Sequence, residues 1–413
     1  MRRGKMIMSI GRRGRVLALS AAMLFAPALM AADVPAGFED AWSEVSQLYR
    51  ENAAREGTVA SSLYFLHDGR ILKAEHFGTT RADGGRVVDA DTLYHWASIT
   101  KTFTAVAVMQ LRDRGLLRLD DAAVDYLPEL KQVRNPFGPM DAITLEQLLS
   151  HSGGFRAPTF PWRGKGDWKP HEPAEWSQVA AMMPYTEVLF APGSKCSYSN
   201  LGMSALGRVV EIVTGDSIES YITKNILMPL GMTRSYFDVT PYYLQSDKTH
   251  SYYRKSGRLE DLGRELDTGA TVANGGLNGT MGDMARWLDF WSGVGDRSHH
   301  DAVLSRASLA EMQRPRCSIA AGDDLQQQMG LAFFVIDYPL PSGENARYVG
   351  HTGGQKGYND YVYVDPATGA AVIFANNTRN TDVKGGETVY RKTRRAVFER
   401  IFPLFPKRTA AGR

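Results

Sequence analysis

The sequence predicts an α+β fold, and three observations predict it. Strand-like segments lie at both ends of the chain, helical periodicity fills the middle, and glycine and other turn chemistry divides the two patterns. The economical arrangement is one antiparallel sheet assembled from both ends, flanked by terminal helices, with a mainly helical lobe inserted between. On this reading residues 33–405 form the folded part, with a sheet lobe from about 33–95 and 322–405 and a helical lobe from about 96–321. Residues 406–413 are expected to be a disordered tail.

Each element has its own justification. Arg2, Arg3, Lys5, Arg12, Arg13 and Arg15 precede the apolar run VLALSAAMLFAPAL, with small residues at Ala31 and Ala32. That is the pattern of a signal peptide over residues 1–32, too short and too broken by Pro27 for a membrane span. It implies a periplasmic or secreted protein with no stable span after cleavage. Sec export is the simpler route, although Arg12-Arg13 also resembles a twin-arginine signal. GFEDAWSEVSQLYRENAA then spaces Phe38, Trp42, Val45 and Leu48 as one helix face. TVASSLYFLHDGRILKAEHFG reads as a hairpin turning at Asp68-Gly69. ITKTFTAVAVMQLRDRG, ITLEQLLSHSGG, LGMSALGRVVEIVTG and MGDMARWLDFWSG read as helices, several closed by glycine. Strand signals return in MGLAFFVIDY, RYVGHTGG, YNDYVYVDPATG and AAVIFANNT, and GETVYRKTRRAVFERIF supplies a final helix.

Composition excludes several classes. The 413-residue chain has a formal charge of +3, and removing the six cations of the leader leaves −3, which argues against a nucleic-acid surface. The nine histidines are dispersed without metal-ligand spacing. No phosphate-binding or dinucleotide glycine pattern occurs, and the nearest approach to G-x-S-x-G, Gly202 to Gly207, is one residue too long and lies in a helix. Cys196 and Cys317 either pair in an oxidising compartment or remain buried thiols, and because sequence cannot fix connectivity two thiols are the favoured reading.

Three short motifs carry chemistry. Ser98-x-x-Lys101 opens a long apolar segment, and residues three apart share a helix face. A desolvated lysine loses its proton readily and can act as a base toward such a serine. The bland alternative is a capping serine beside a solvated lysine. In Tyr198-Ser199-Asn200 the tyrosine can relay a proton, and Asn200 offers one acceptor and two donors; Asn200 is also expected to cap the helix that follows. In His351-Thr352-Gly353-Gly354 the glycines admit close approach to a strand, Gly354 has an N–H to offer, and His351 can donate a hydrogen bond or carry part-time charge.

Together, in this order and spacing, these motifs resemble the β-lactamase-related serine hydrolases: class C β-lactamases, serine D-alanyl-D-alanine peptidases and β-lactamase-like esterases. GLLRLDDAAVDYLPEL, LFAPGSKCSYSNLG, YITKNILMPLGM and NGGLNGTMGDMARWL extend the resemblance over nearly the whole mature chain. It implies a β-lactamase/penicillin-binding-protein-like fold with no cofactor or metal. By resemblance, Ser98 is the acylated nucleophile, Lys101 its base and Tyr198 the proton relay. Asn200 positions substrate and Lys101, the N–H groups of Ser98 and Gly354 form the oxyanion hole, and His351, Thr352 and Gly353 line the substrate strand. The family's β-lactamases carry lysine where His351 stands, which shifts the expectation toward esters or D-amino-acid amides, with β-lactams as a further substrate; Lys356 is the nearest replacement charge. The alternative is a penicillin-binding relative that is acylated but turns over poorly. Residues 155–180, with Phe155, Phe160, Trp162, Trp168 and Trp176, are expected either to wall the substrate pocket or to cover the helical lobe. Oligomeric state is left open.

Overall fold

The large antiparallel sheet contains strands from both ends of the chain. A computed structural model describes residues 34–161, 173–292, 298–320, 325–383 and 385–408, so the predicted leader lies outside the described residues. Near the N-terminus, α1 (Phe38–Glu56) leads to β1 (Ala60–His67) and β2 (Arg70–Gly78). Their turn is made by Asp68 and Gly69, with φ of 49° and 72°, the two left-handed residues that a tight hairpin requires. From the other end come β3 (Cys317–Ile319), β4 (Gln327–Met329), β5 (Phe334–Pro339), β6 (Asn345–Gln355), β7 (Tyr358–Val364) and β8 (Ala370–Asn376). The strand order is β2-β1-β8-β7-β6-β5-β4-β3. β1 meets β8 with Ser61 opposite Asn376, uniting chain ends more than three hundred residues apart.

Alternation along the strands divides the core in two. Leu63 and Phe65 of β1, Tyr361 and Tyr363 of β7, and Val372 and Phe374 of β8 pack beneath α1 and the C-terminal helix α6 (Val389–Ala396). Tyr64, Leu66, Val362, Val364, Ile373 and Ala375 face the other way, toward the inserted lobe. That lobe is centred on α2 (Thr100–Asp113), in which every residue from Thr100 to Leu111 is buried. Around it stand α3 (Leu145–Leu149), α4 (Asn200–Thr214) and α5 (Met281–Ser292). Residues 36–413 form one compact unit.

The structure adds to or departs from expectation in four places. The inserted lobe also contains strands: Leu93–His95, Leu277–Thr280 and Tyr236–Phe237 form one small sheet. Tyr252–Lys255 and Arg258–Asp261 form another with Thr378–Asn380. These segments are two to four residues long, too short for periodicity to declare them. The helix after Tyr198 is capped by Ser199, not Asn200: Gly202 N donates to Ser199 Oγ at 2.9 Å. Cys196 and Cys317, for which the sequence favoured free thiols, are joined, because the loop before Tyr198 packs on β3 and brings their Cα atoms to 5.9 Å. At the start of the expected disordered tail, Arg408 N donates to Ala367 O at 2.8 Å and its guanidinium contacts Asp68.

Candidate active site

Ser98 lies on a single 3-10 turn, Ala97–Ile99, that runs directly into α2. The residue before it is strained: Ala97 has φ of 45°, a left-handed conformation that costs a non-glycine residue roughly 1–3 kcal/mol. Several bonds hold the turn. Trp96 N donates to Leu277 O at 2.8 Å, Thr100 Oγ1 donates to Ala97 O at 2.6 Å, and Leu277 N donates to Thr100 Oγ1 at 3.1 Å. Ser98 makes no capping bond and stays half-buried at the start of the helix.

Lys101 is wholly buried. Its Nζ donates to Ser98 Oγ at 2.9 Å and to the backbone carbonyl of Asn274 at 2.7 Å, and it sits 5.0 Å from the centre of the Tyr198 ring. Burial drives its pKa well below that of an ordinary lysine, as expected for an ammonium withdrawn from water without a carboxylate partner. The reading of a capping serine beside a solvated lysine therefore does not describe this pair. Burial raises the pKa of the Tyr198 hydroxyl, and the neighbouring Ser98 side chain offsets that rise only in part.

The third motif lies on β6. β5 accompanies β6 only as far as Gly350, opposite Phe334, while β7 continues along residues 351–355. One edge of that stretch is thus free of any strand among the described residues. A methyl group built on Gly353 would lie 2.5 Å from Trp96 O, so only glycine lets the strand come this close to the Ser98 turn. A methyl on Gly354 would meet open space. Thr352, Gly353 and Gly354 border a cavity of about 380 Å³ shared with Glu56, Asn359 and Arg379.

His351 is fully buried. Its Nδ1 donates to Thr352 O at 2.7 Å, its ring stacks on Phe334 at 4.6 Å, and Nε2 has no partner. Desolvation, reinforced by Lys101, lowers its pKa to about 3, so the strand carries a neutral ring where the family's β-lactamases have an ammonium. Asn200 Oδ1 is buried without a hydrogen-bond partner among the described residues and so accepts nothing from Lys101. Lys356 is exposed at the β6–β7 turn. Of the five aromatics in the long loop, Phe155, Phe160 and Trp176 pack against the main core; Trp162 and Trp168 lie outside the described residues. Among the described residues no group of three His, Cys, Asp or Glu is placed to hold a metal ion, and no helix is long and apolar enough to cross a membrane.

Two contributors escaped the sequence reading. Asn274 supplies the carbonyl that holds Lys101 and is itself held by its Nδ2 donating to Ser204 Oγ at 2.8 Å. Its signal was the NGG segment, but a backbone acceptor has no residue signature. His151, in LLSHSGG, lies against Tyr198 with ring centres 4.6 Å apart and planes tilted by 31°. A histidine set between a helix end and two glycines was the available clue.

Comparison with known proteins identifies the family. The family model described as Beta-lactamase matches residues 45–394, and the chain belongs to that family. Protein flp of Staphylococcus aureus (strain COL) is 22% identical over 339 residues, covering 82% of this chain and 63% of its own length. The chain thus spans less than two thirds of that relative. The octameric penicillin-binding protein homologue from Pyrococcus abyssi superposes with a TM-score of 0.71 at 25% identity, over 88% of this chain and 79% of that one. The D-alanine carboxypeptidase AmpC from Burkholderia cenocepacia gives 0.67 at 20% identity, over 87% and 99%. These likenesses show the β-lactamase/penicillin-binding-protein fold.

Proposed function

We propose that the protein is an exported serine hydrolase that forms an acyl-enzyme on Ser98 and cleaves esters or D-amino-acid amides, with β-lactams as a further acyl donor. The observation that carries this reading is the buried Lys101 Nζ, 2.9 Å from Ser98 Oγ and 5.0 Å from the centre of the Tyr198 ring. A lysine kept neutral by burial has a lone pair to accept the Ser98 proton as Oγ attacks the acyl carbon. The N–H groups of Ser98 and Gly354 receive the negative charge that develops on the acyl oxygen. Tyr198 gives its proton to the departing oxygen or nitrogen as that bond breaks, and the Lys101 ammonium restores it. In the second half a water molecule loses a proton to the same pair, attacks the ester carbon, and Ser98 leaves with a proton. Every proton in this scheme is handled by protein groups.

The neutral His351 supports the substrate class. A strand without a fixed positive charge gives a substrate carboxylate little advantage, whereas the open edge of β6 can pair with the backbone of an amide substrate. The Cys196–Cys317 bond, with the basic and apolar leader, supports an extracytoplasmic location. Intact-protein mass spectrometry of the wild type and Ser98→Ala, each mixed with a p-nitrophenyl ester or a penicillin, tests the proposal. A transient adduct with turnover, absent from Ser98→Ala, is expected. A long-lived penicillin adduct without turnover would replace the hydrolase with a binding protein, and turnover retained by Ser98→Ala would overturn the acyl-enzyme.

A further inference from the structure

His151 holds the chain on both sides of Tyr198. Its carbonyl accepts from Ser197 N at 2.9 Å and its ring Nδ1 accepts from Ser199 N at 3.1 Å. The ring lies across the phenol between these two bonds, with centres 4.6 Å apart and planes 31° apart. One residue thus fixes the backbone before Tyr198, the backbone after it, and the face of its ring.

The conformation that permits this is unfavourable for stability alone. His151 has φ of 57°, unusual for a residue that is not glycine. The segment is locked by Ser152 N donating to Gln147 O at 2.8 Å, Ser150 Oγ donating to Glu146 O at 2.8 Å, and the 2.9 Å contact between the Ser150 and Ser152 hydroxyls. The α3 helix behind it is secured by a capping box between Thr144 and Gln147. Because Nδ1 accepts a bond, the ring proton of the neutral form sits on Nε2, and that buried atom has no partner among the described residues. A strained backbone and an unsatisfied buried donor in one residue mark a position kept for something other than stability.

We infer that His151 is a positioning residue that pins the Tyr198 phenol in register with Ser98, acting through its ring Nδ1 and its ring face without itself exchanging a proton. This rests on the acyl-enzyme reading above, because it assigns His151 a role only through Tyr198. Burial, together with Lys101 and His351, keeps the ring neutral, so Nδ1 stays free to accept throughout the reaction.

The test uses the full chain, a p-nitrophenyl ester and two variants. His151→Leu removes the acceptor and the ring. His151→Asn keeps an acceptor and is a residue that tolerates left-handed φ. The Leu variant is expected to lose about 100-fold in kcat with KM within about threefold, the scale of a small misplacement of a reacting group. The Asn variant is expected to recover at least about tenfold of that loss. Unchanged kcat in both variants would overturn the inference, as would a loss confined to KM. If the Leu variant does not fold, the Asn variant decides by the same kcat-against-KM split. Selective ¹⁵N-histidine NMR of the wild type provides a reading that needs no variant: His151 protonated on Nε2 is expected, and protonation on Nδ1 would overturn the inference. Absence of any Ser98-dependent adduct or turnover in the wild type would instead defeat the function proposed above.

Discussion

Lys101 Nζ lies 2.9 Å from Ser98 Oγ while wholly shielded from solvent. A lysine so placed can give up its proton, and an arginine cannot. Lys101→Arg is therefore expected to lower kcat on a p-nitrophenyl ester by roughly 10²–10⁴-fold, with circular dichroism confirming a folded chain. A variant within threefold of wild type would remove Lys101 from the role of base.

The rate should follow the same logic with pH. Lys101 is shifted far downward and Tyr198 upward. The acid limb of kcat/KM should therefore rise as Lys101 loses its proton, well below the range of an ordinary lysine. Tyr198 should remain protonated across neutrality, giving a broad plateau. A rate that begins to rise only near the ordinary lysine pKa would contradict the buried, neutral base.

Glu56, near the end of α1, accepts from Val389 N at the start of α6. Burial raises its pKa from 4.5 to about 7. Between those values the folded state binds more protons than the unfolded one, so this group's contribution to stability falls as pH rises through the window. Glu56→Gln keeps an acceptor for Val389 and cannot ionise. It should be near neutral at pH 4 and stabilising by roughly 1–2 kcal/mol at pH 8, less than the full shift because Glu56 lines an open cavity. Thermal unfolding at the two pH values checks this, and an equal effect at both would refute the ionisation account.

Gly353→Ala would place a methyl 2.5 Å from Trp96 O. Both strand and turn are tied into the core, so relief means separating them. Stability is expected to fall by roughly 1–3 kcal/mol, with a larger proportional loss of any turnover of a p-nitrophenyl ester than of Tm. Gly354→Ala, facing open space, should leave stability nearly unchanged.

The Cys196–Cys317 bond closes a separation of 121 residues. Cys196→Ser with Cys317→Ser should cost about 2–4 kcal/mol in denaturant unfolding, and unreduced, denatured wild type should show no titratable thiol. Detection of two thiols would return the pair to the state favoured from sequence.

The terminal helices, the Asp68-Gly69 hairpin and the late strands were legible because their signals are local. Phe38, Trp42 and Val45 at helical spacing, or alternation along SSLYFLH, need no tertiary context. The Ser98 and Lys101 pair was legible because a helix turn makes neighbours of residues three apart. Partners brought together by packing were not legible. The Asn274 carbonyl reaches Lys101 across 173 positions, and the small sheets depend on segments too short to carry a period. The roles of Asn200 and His351 came from resemblance. The structure adds an environment that no motif specifies: an unpartnered Asn200 oxygen and a neutral imidazole.

The pairing of β1 with β8 also sets an order of events during synthesis. The turn bearing Ser98 leaves the ribosome when less than a third of the chain exists, but Gly353 and Gly354 are made some 250 residues later. The strand beside which they stand is itself held in a sheet that needs residue 376 to meet residue 61. Such long-range closure folds slowly and cannot be anticipated by an incomplete chain. A nascent or truncated polypeptide therefore carries Ser98 without the strand edge beside it, and the two come together only when the sheet closes.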